Sequence, residues 1–112
     1  MKIIAPLAVV LLLAISCSNN DSSESITCDS VDISFSEDVL PIITATCATN
    51  SSCHATGSKE GPGALTSYAQ VFSARTDIAT TVSNGTMPKD GSLTSEQRNN
   101  IVCWIRNGAS EN

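Results

Sequence analysis

Apolar and polar positions divide the chain into three stretches. Residues 3–15 are apolar except for Pro6, and Lys2 precedes them with one positive charge. A run of that length fits the hydrophobic part of a signal peptide and falls short of a comfortable membrane span. Residues 18–27 then hold one apolar side chain, Ile26, among Ser, Asn, Asp, Glu and Thr. That is too little to bury a core, and the stretch reads as a flexible tether. Beyond it the pattern takes on short helical periods. Asp38 is placed to cap a helix through Val39, Leu40, Ile42 and Ile43 to about Cys47, with Pro41 in the first turn, where a missing N–H costs little. Residues 50–63 are rich in Gly, Pro and small polar residues and predict a loop. Thr66 or Ser67 caps a second helix carrying Tyr68, Val71 and Phe72 at i, i+3 and i+4. A third helical stretch is predicted over 77–82, closed by Asn84-Gly85. Thr94-Ser95-Glu96-Gln97 has capping-box spacing. Ile101, Val102, Trp104 and Ile105 follow as one apolar face, until Asn107-Gly108 stops the helix. No alternating run is long enough for a useful strand, and no repeat is present. The pattern predicts one all-α domain over residues 31–112, with a signal segment over 1–16 and a tether over 17–30.

Composition changes that picture in two ways. The 112 residues carry a net charge of −5 and no Lys/Arg-rich run, which argues against electrostatic binding of nucleic acid. The chain is 41% hydrophobic and 15% charged, so it is not wholly disordered, but much of the apolar content lies in the first 15 residues. Four aromatics, Phe35, Tyr68, Phe72 and Trp104, remain for a core. A domain this small is marginal on apolar burial alone and usually needs covalent staples, a metal or a cofactor. Five cysteines are the candidates. Lys59-Glu60 and Lys89-Asp90 read as solvated loop charges.

The candidate chemistry is concentrated between Cys47 and Met87. Cys47-Ala-Thr-Asn-Ser-Ser-Cys53-His54 puts two thiols and an imidazole within eight residues. His54 is the single histidine of the chain, and Met87 is the single methionine after Met1. Haem iron accepts one ligand on each face, and His with Met is a pair that c-type cytochromes use. Two thiols beside the His can add across the haem vinyl groups. At the first segment's end, Leu13-Ala14-Ile15-Ser16-Cys17 resembles the lipobox of bacterial lipoproteins, in which the cysteine becomes the lipidated N-terminus. That resemblance implies lipidation of Cys17 and a cell-envelope location, anchored to the inner or outer membrane and facing the periplasm or the surface. Such compartments permit disulfides.

Taken together, Phe35-Ser-Glu-Asp-Val-Leu-Pro-Ile-Ile, Cys47…Cys53-His54, Asn84-Gly-Thr-Met-Pro and Ile101-Val-Cys-Trp-Ile-Arg-Asn-Gly-Ala resemble small c-type cytochrome domains of Bacteroidetes lipoproteins. The resemblance covers roughly residues 31–109. It implies a cytochrome c-like fold of three to four short helices and long loops around one covalent haem c. It assigns Cys47 and Cys53 to attachment, His54 as proximal ligand and Met87 as distal ligand. It further implies that the helix after the Met packs against the N-terminal helix, with Trp104 and Ile105 in the core or the haem wall. The chain departs from the family in spacing, with C-x5-C-H in place of the usual C-x-x-C-H. A longer connection can bulge outward, whereas a shorter one could not reach both vinyl carbons. Asn84-Gly85 allows a sharp reversal before Met87, and Pro88 stiffens the chain after it.

These assignments leave Cys28 and Cys103. If the first and last helices cross, as the family implies, a disulfide between the two cysteines would close a long loop; two buried free thiols are the other reading. The function implied is an electron carrier and not an enzyme, with redox proteins as partners, the membrane reached through the lipid anchor, no nucleic acid, and a monomeric state. Two other classes stay open. One is a haem sensor or peroxidase-like domain, which needs a vacant or displaceable sixth ligand. The other is a non-haem lipoprotein, stapled by disulfides or holding copper or zinc through Cys47, Cys53, His54 and Met87 or Cys103.

Overall fold

The computed structural model describes residues 26–29 and 31–112. The signal segment, the proposed lipidation site Cys17 and the greater part of the tether lie outside the described residues. Those described form four α-helices and no strand: α1 (Leu40–Thr46), α2 (Tyr68–Ser73), α3 (Arg75–Ser83) and α4 (Ser95–Arg106). None is long and apolar enough to cross a membrane.

The first helical segment starts earlier than Asp38 predicts. A wide helical turn, Phe35–Val39, leads directly into α1. Its cap is Ser34, whose hydroxyl accepts from Glu37 N, while Asp38 reaches back to accept from Ser34 N at 2.8 Å. Asp38 is thus the returning arm of the cap and not the cap itself. The turn is wide because Leu40 N–H donates to Phe35 O, five residues back. Pro41 comes next; a proline ring inside a regular α-turn would collide with the carbonyl four residues before it, and a widened turn makes room for it.

The other boundaries follow the sequence signals closely. Ser67, not Thr66, caps α2, accepting from Gln70 N. Thr66 N instead donates to the Gln70 side chain at 2.8 Å. Helix α3 begins two residues before the predicted Asp77 and ends at Asn84-Gly85 as expected. The capping box at Thr94 forms in both directions, with Gln97 N to Thr94 Oγ1 at 3.1 Å and Thr94 N to Gln97 Oε1 at 3.0 Å. At the far end of α4, Gly108 N donates to Ile105 O and Ala109 N to Trp104 O, the two bonds of a Schellman ending.

The core has an aromatic end and an aliphatic end. Phe35, Tyr68, Phe72 and Trp104 form one cluster, with ring centroids 5.2 Å apart for Phe35–Trp104 and 5.3 Å for Phe35–Tyr68. Trp104 is therefore core. Pairs of this kind contribute about 0.5–1.5 kcal/mol beyond the area they bury. The polar ends of the cluster hold the C-terminal strap: Tyr68 OH donates to Ala109 O and Trp104 Nε1 to Ser110 O. The strap ends on the opening turn, where Asn112 accepts from Phe35 N through its side chain and from Ser36 N through its carbonyl. The aliphatic end consists of Val39, Ile43, Leu65, Val71, Ile78, Val82 and Ile101, all buried. Helix α4 packs on α3 and on the Phe35–Val39 turn; the N-terminal partner of the last helix is thus mainly that turn.

Cys28 and Cys103 form a disulfide across a sequence separation of 75. Cys103 is buried in α4, and the bond holds Cys28 and Ile26 against the core, ahead of the domain start expected at residue 31. Arg106 adds a hydrogen bond to Ile26 O at 3.2 Å. Closing a loop of this length stabilises the fold by about 4 kcal/mol in the chain-entropy view. Replacing both cysteines by Ala is expected to lower the denaturant-measured stability by up to about that amount. Mass spectrometry of a non-reduced digest should show the linked peptides, and free thiols labelled at both positions would contradict the bond.

Candidate functional site

The aliphatic end of the core is open on one side. Ile43, Leu65, Ile78, Val82 and Ile101 form the walls of a cleft of about 260 Å³. Cys47, Cys53, His54 and Met87 all line it. Helix α1 delivers Cys47 at its C-terminal end, the loop after it delivers Cys53 and His54, and the turn after α3 delivers Met87. Ile101, one turn before Trp104 on α4, supplies the wall that the sequence reading left between core and cofactor for Trp104.

The long spacer between the cysteines bulges outward and is closed at its base. His54 N–H donates to Cys47 O at 3.0 Å, which brings the second cysteine back beside the end of α1. Asn50 holds the bulge: its side chain accepts from Ser52 N at 2.9 Å and from Cys53 N at 3.1 Å, and its carbonyl accepts from Ala55 N. This is an Asx-turn, the local alternative that Asn offers a backbone leaving a helix.

His54 is 8% exposed and is the one buried polar side chain among the described residues. Its Nδ1 lies 2.9 Å from Gly63 O. A carbonyl only accepts, so Nδ1 carries a proton in this bond, and Nε2 is the nitrogen left for a ligand. Leu65 N donates to His54 O at 2.8 Å and fixes the same loop from the other side. Burial pushes the Cys47 thiol above its ordinary pKa; its contact with Thr46 lowers it in part and the neighbouring Cys53 raises it.

Among the described residues, no three His, Cys, Asp or Glu side chains stand together as a metal site, and Cys103 is spent in the disulfide. Cys103 therefore does not offer a free thiol to the cleft. The donors that line the cleft are of the kinds haem c uses: two thiols outside any disulfide, an imidazole engaged through Nδ1, and a thioether, between apolar walls. Charged residues gather at the mouth. Glu60, Asp77, Lys89 and Asp90 are exposed and line it. Glu60 and the Lys89-Asp90 pair, which read from sequence as ordinary solvated charges, are thus solvated but border the site. Gly63 had no signal in the sequence, because its contribution is a backbone carbonyl.

In comparisons with known proteins, no protein-family model, no curated protein and no solved structure matches the chain.

Proposed function

We propose that the protein is a c-type cytochrome that carries single electrons through one covalent haem, anchored to a cell-envelope membrane through Cys17. The observation that supports this most is the convergence of Cys47, Cys53, His54 and Met87 on one apolar cleft, with Nε2 of His54 unengaged. Bound haem would supply the exchange of one electron at iron, and the chain's own residues define the rest. Cys47 and Cys53 would each add a thiol across a vinyl group, leaving two thioether bonds. His54 Nε2 and Met87 Sδ would hold the iron. The Gly63 carbonyl holds the imidazole in one tautomer and orientation, the usual service of an outer partner to a ligating histidine. The buried aliphatic walls would exclude water from a bound haem, and that burial together with Met ligation would raise its reduction potential. The open mouth would let a bound haem exchange electrons with another redox protein that approaches there.

An absorption spectrum of protein matured in a host competent for cytochrome c assembly tests the reading. A sharp Soret band with α and β bands on reduction is the expected result. A haem-free chain after such maturation would overturn it.

A further inference from the structure

Met87 has no helix of its own, yet something holds it at the cleft. The last carbonyls of α3 lack helical partners, as at every helix end. Asn84 N takes Thr80 O, and Gly85 N takes Val82 O at 3.3 Å. Thr81 O is taken by Met87 N at 3.1 Å. To bring Met87 back to Thr81, the chain must reverse within residues 84–86. Gly85 supplies the reversal at φ +78°, where a side chain would be strained. Asn84 Oδ1 then accepts from Thr86 N at 2.9 Å and from the Thr86 hydroxyl.

We propose that Asn84 is a positioning residue for Met87, its side-chain oxygen building the turn that sets the thioether at the cleft. The inference rests on the His/Met reading above and adds what fixes the distal ligand. Asn84, Gly85 and Thr86 are all exposed and none of them lines the cleft. No apolar anchor holds this turn, so its shape depends on hydrogen bonds. Ile78 and Val82, on the same helix, are buried walls of the cleft. The turn is therefore the link between a rigid wall and the ligand it carries. Without the Asn84 oxygen, Thr86 N–H turns to water, the reversal samples other shapes, and Met87 spends less time at its post. The equilibrium constant for Met87 ligation should fall on the order of tenfold, the effect of losing one or two ordinary hydrogen bonds.

The test uses the full haem-loaded chain in four forms: wild type, Asn84→Ala, Asn84→Asp and Met87→Ala. Two quantities are followed. One is the weak sulfur–iron absorption at the red end of the ferric spectrum, recorded on heating beside the helix signal in circular dichroism. The other is carbon monoxide affinity of the ferrous form. Asn84→Ala should bind carbon monoxide about tenfold more tightly than wild type, and should lose the sulfur–iron band while the helices are intact. Asn84→Asp keeps the acceptor and should restore both, although a negative charge at a helix C-terminus weakens the helix. Helix stability and ligation thus rank the two variants in opposite orders. If Asn84→Ala keeps wild-type affinity and its band up to global melting, or if Asn84→Asp behaves like Asn84→Ala, the positioning role is wrong. A wild type that lacks the band altogether, matching Met87→Ala, overturns the ligand assignment and this inference with it.

Discussion

Haem is expected to stay on the polypeptide through boiling in detergent, because thioether bonds survive conditions that break coordination. Both thiols line the cleft and neither is in a disulfide. The His54 N–H bond to Cys47 O closes the base of the five-residue bulge, and both cysteines line the same cleft as His54 despite their separation in sequence. The expected pattern on haem-stained denaturing gels is full stain for wild type, retained stain for Cys47→Ala or Cys53→Ala alone, and none for the double variant. A wild type that loses all its haem on ordinary denaturation would mean that attachment is not covalent.

The second large effect is expected at Met87. If His54 and Met87 hold the iron as proposed, carbon monoxide would bind ferrous iron only in the fraction of molecules from which the thioether has left, and the apparent affinity would be reduced by that fraction. Met87→Ala removes the competition. Binding should tighten by at least about tenfold if the thioether is held by about 1.4 kcal/mol or more. The reduction potential should fall, since Met ligation raises it, and the red-end ferric absorption should disappear. Weak peroxidase activity could follow from the vacated position. Equal spectra and equal carbon monoxide affinities in wild type and Met87→Ala would rule Met87 out as a ligand and favour a sensor or enzyme with an open sixth position.

The parts of this fold that were legible in the sequence are those written in local chemistry. Thr94 with Gln97, Ser67 before Tyr68, and Asn84-Gly85 each satisfy helix-end groups within four residues, and each acts in the structure as its pattern predicts. The opening turn was misread for a local reason too: Ser34 and Asp38 are both cap-type residues four apart, and only the folded chain shows which one accepts first. Ile101 and Trp104 lie on one apolar face of α4, and periodicity cannot say which of them meets the aromatic cluster and which meets the cleft. Sequence also had no means to show the carbonyl of Gly63 beneath His54, or Glu60, Asp77 and Asp90 around one mouth. These come from three segments that meet only through tertiary packing.

The disulfide also determines how the domain would carry mechanical load. Tension entering from the segment ahead of Cys28 passes through sulfur straight into α4 at Cys103. Pulled between that segment and Asn112, the chain could pay out only the residues outside the covalent loop, chiefly those after Cys103. Residues 29–102, with both cleft cysteines, His54 and Met87, lie inside the loop and off the line of force. The strap over residues 109–112, held by hydrogen bonds from Tyr68 and Trp104, lies on that line, whereas the cleft residues lie within the covalent loop.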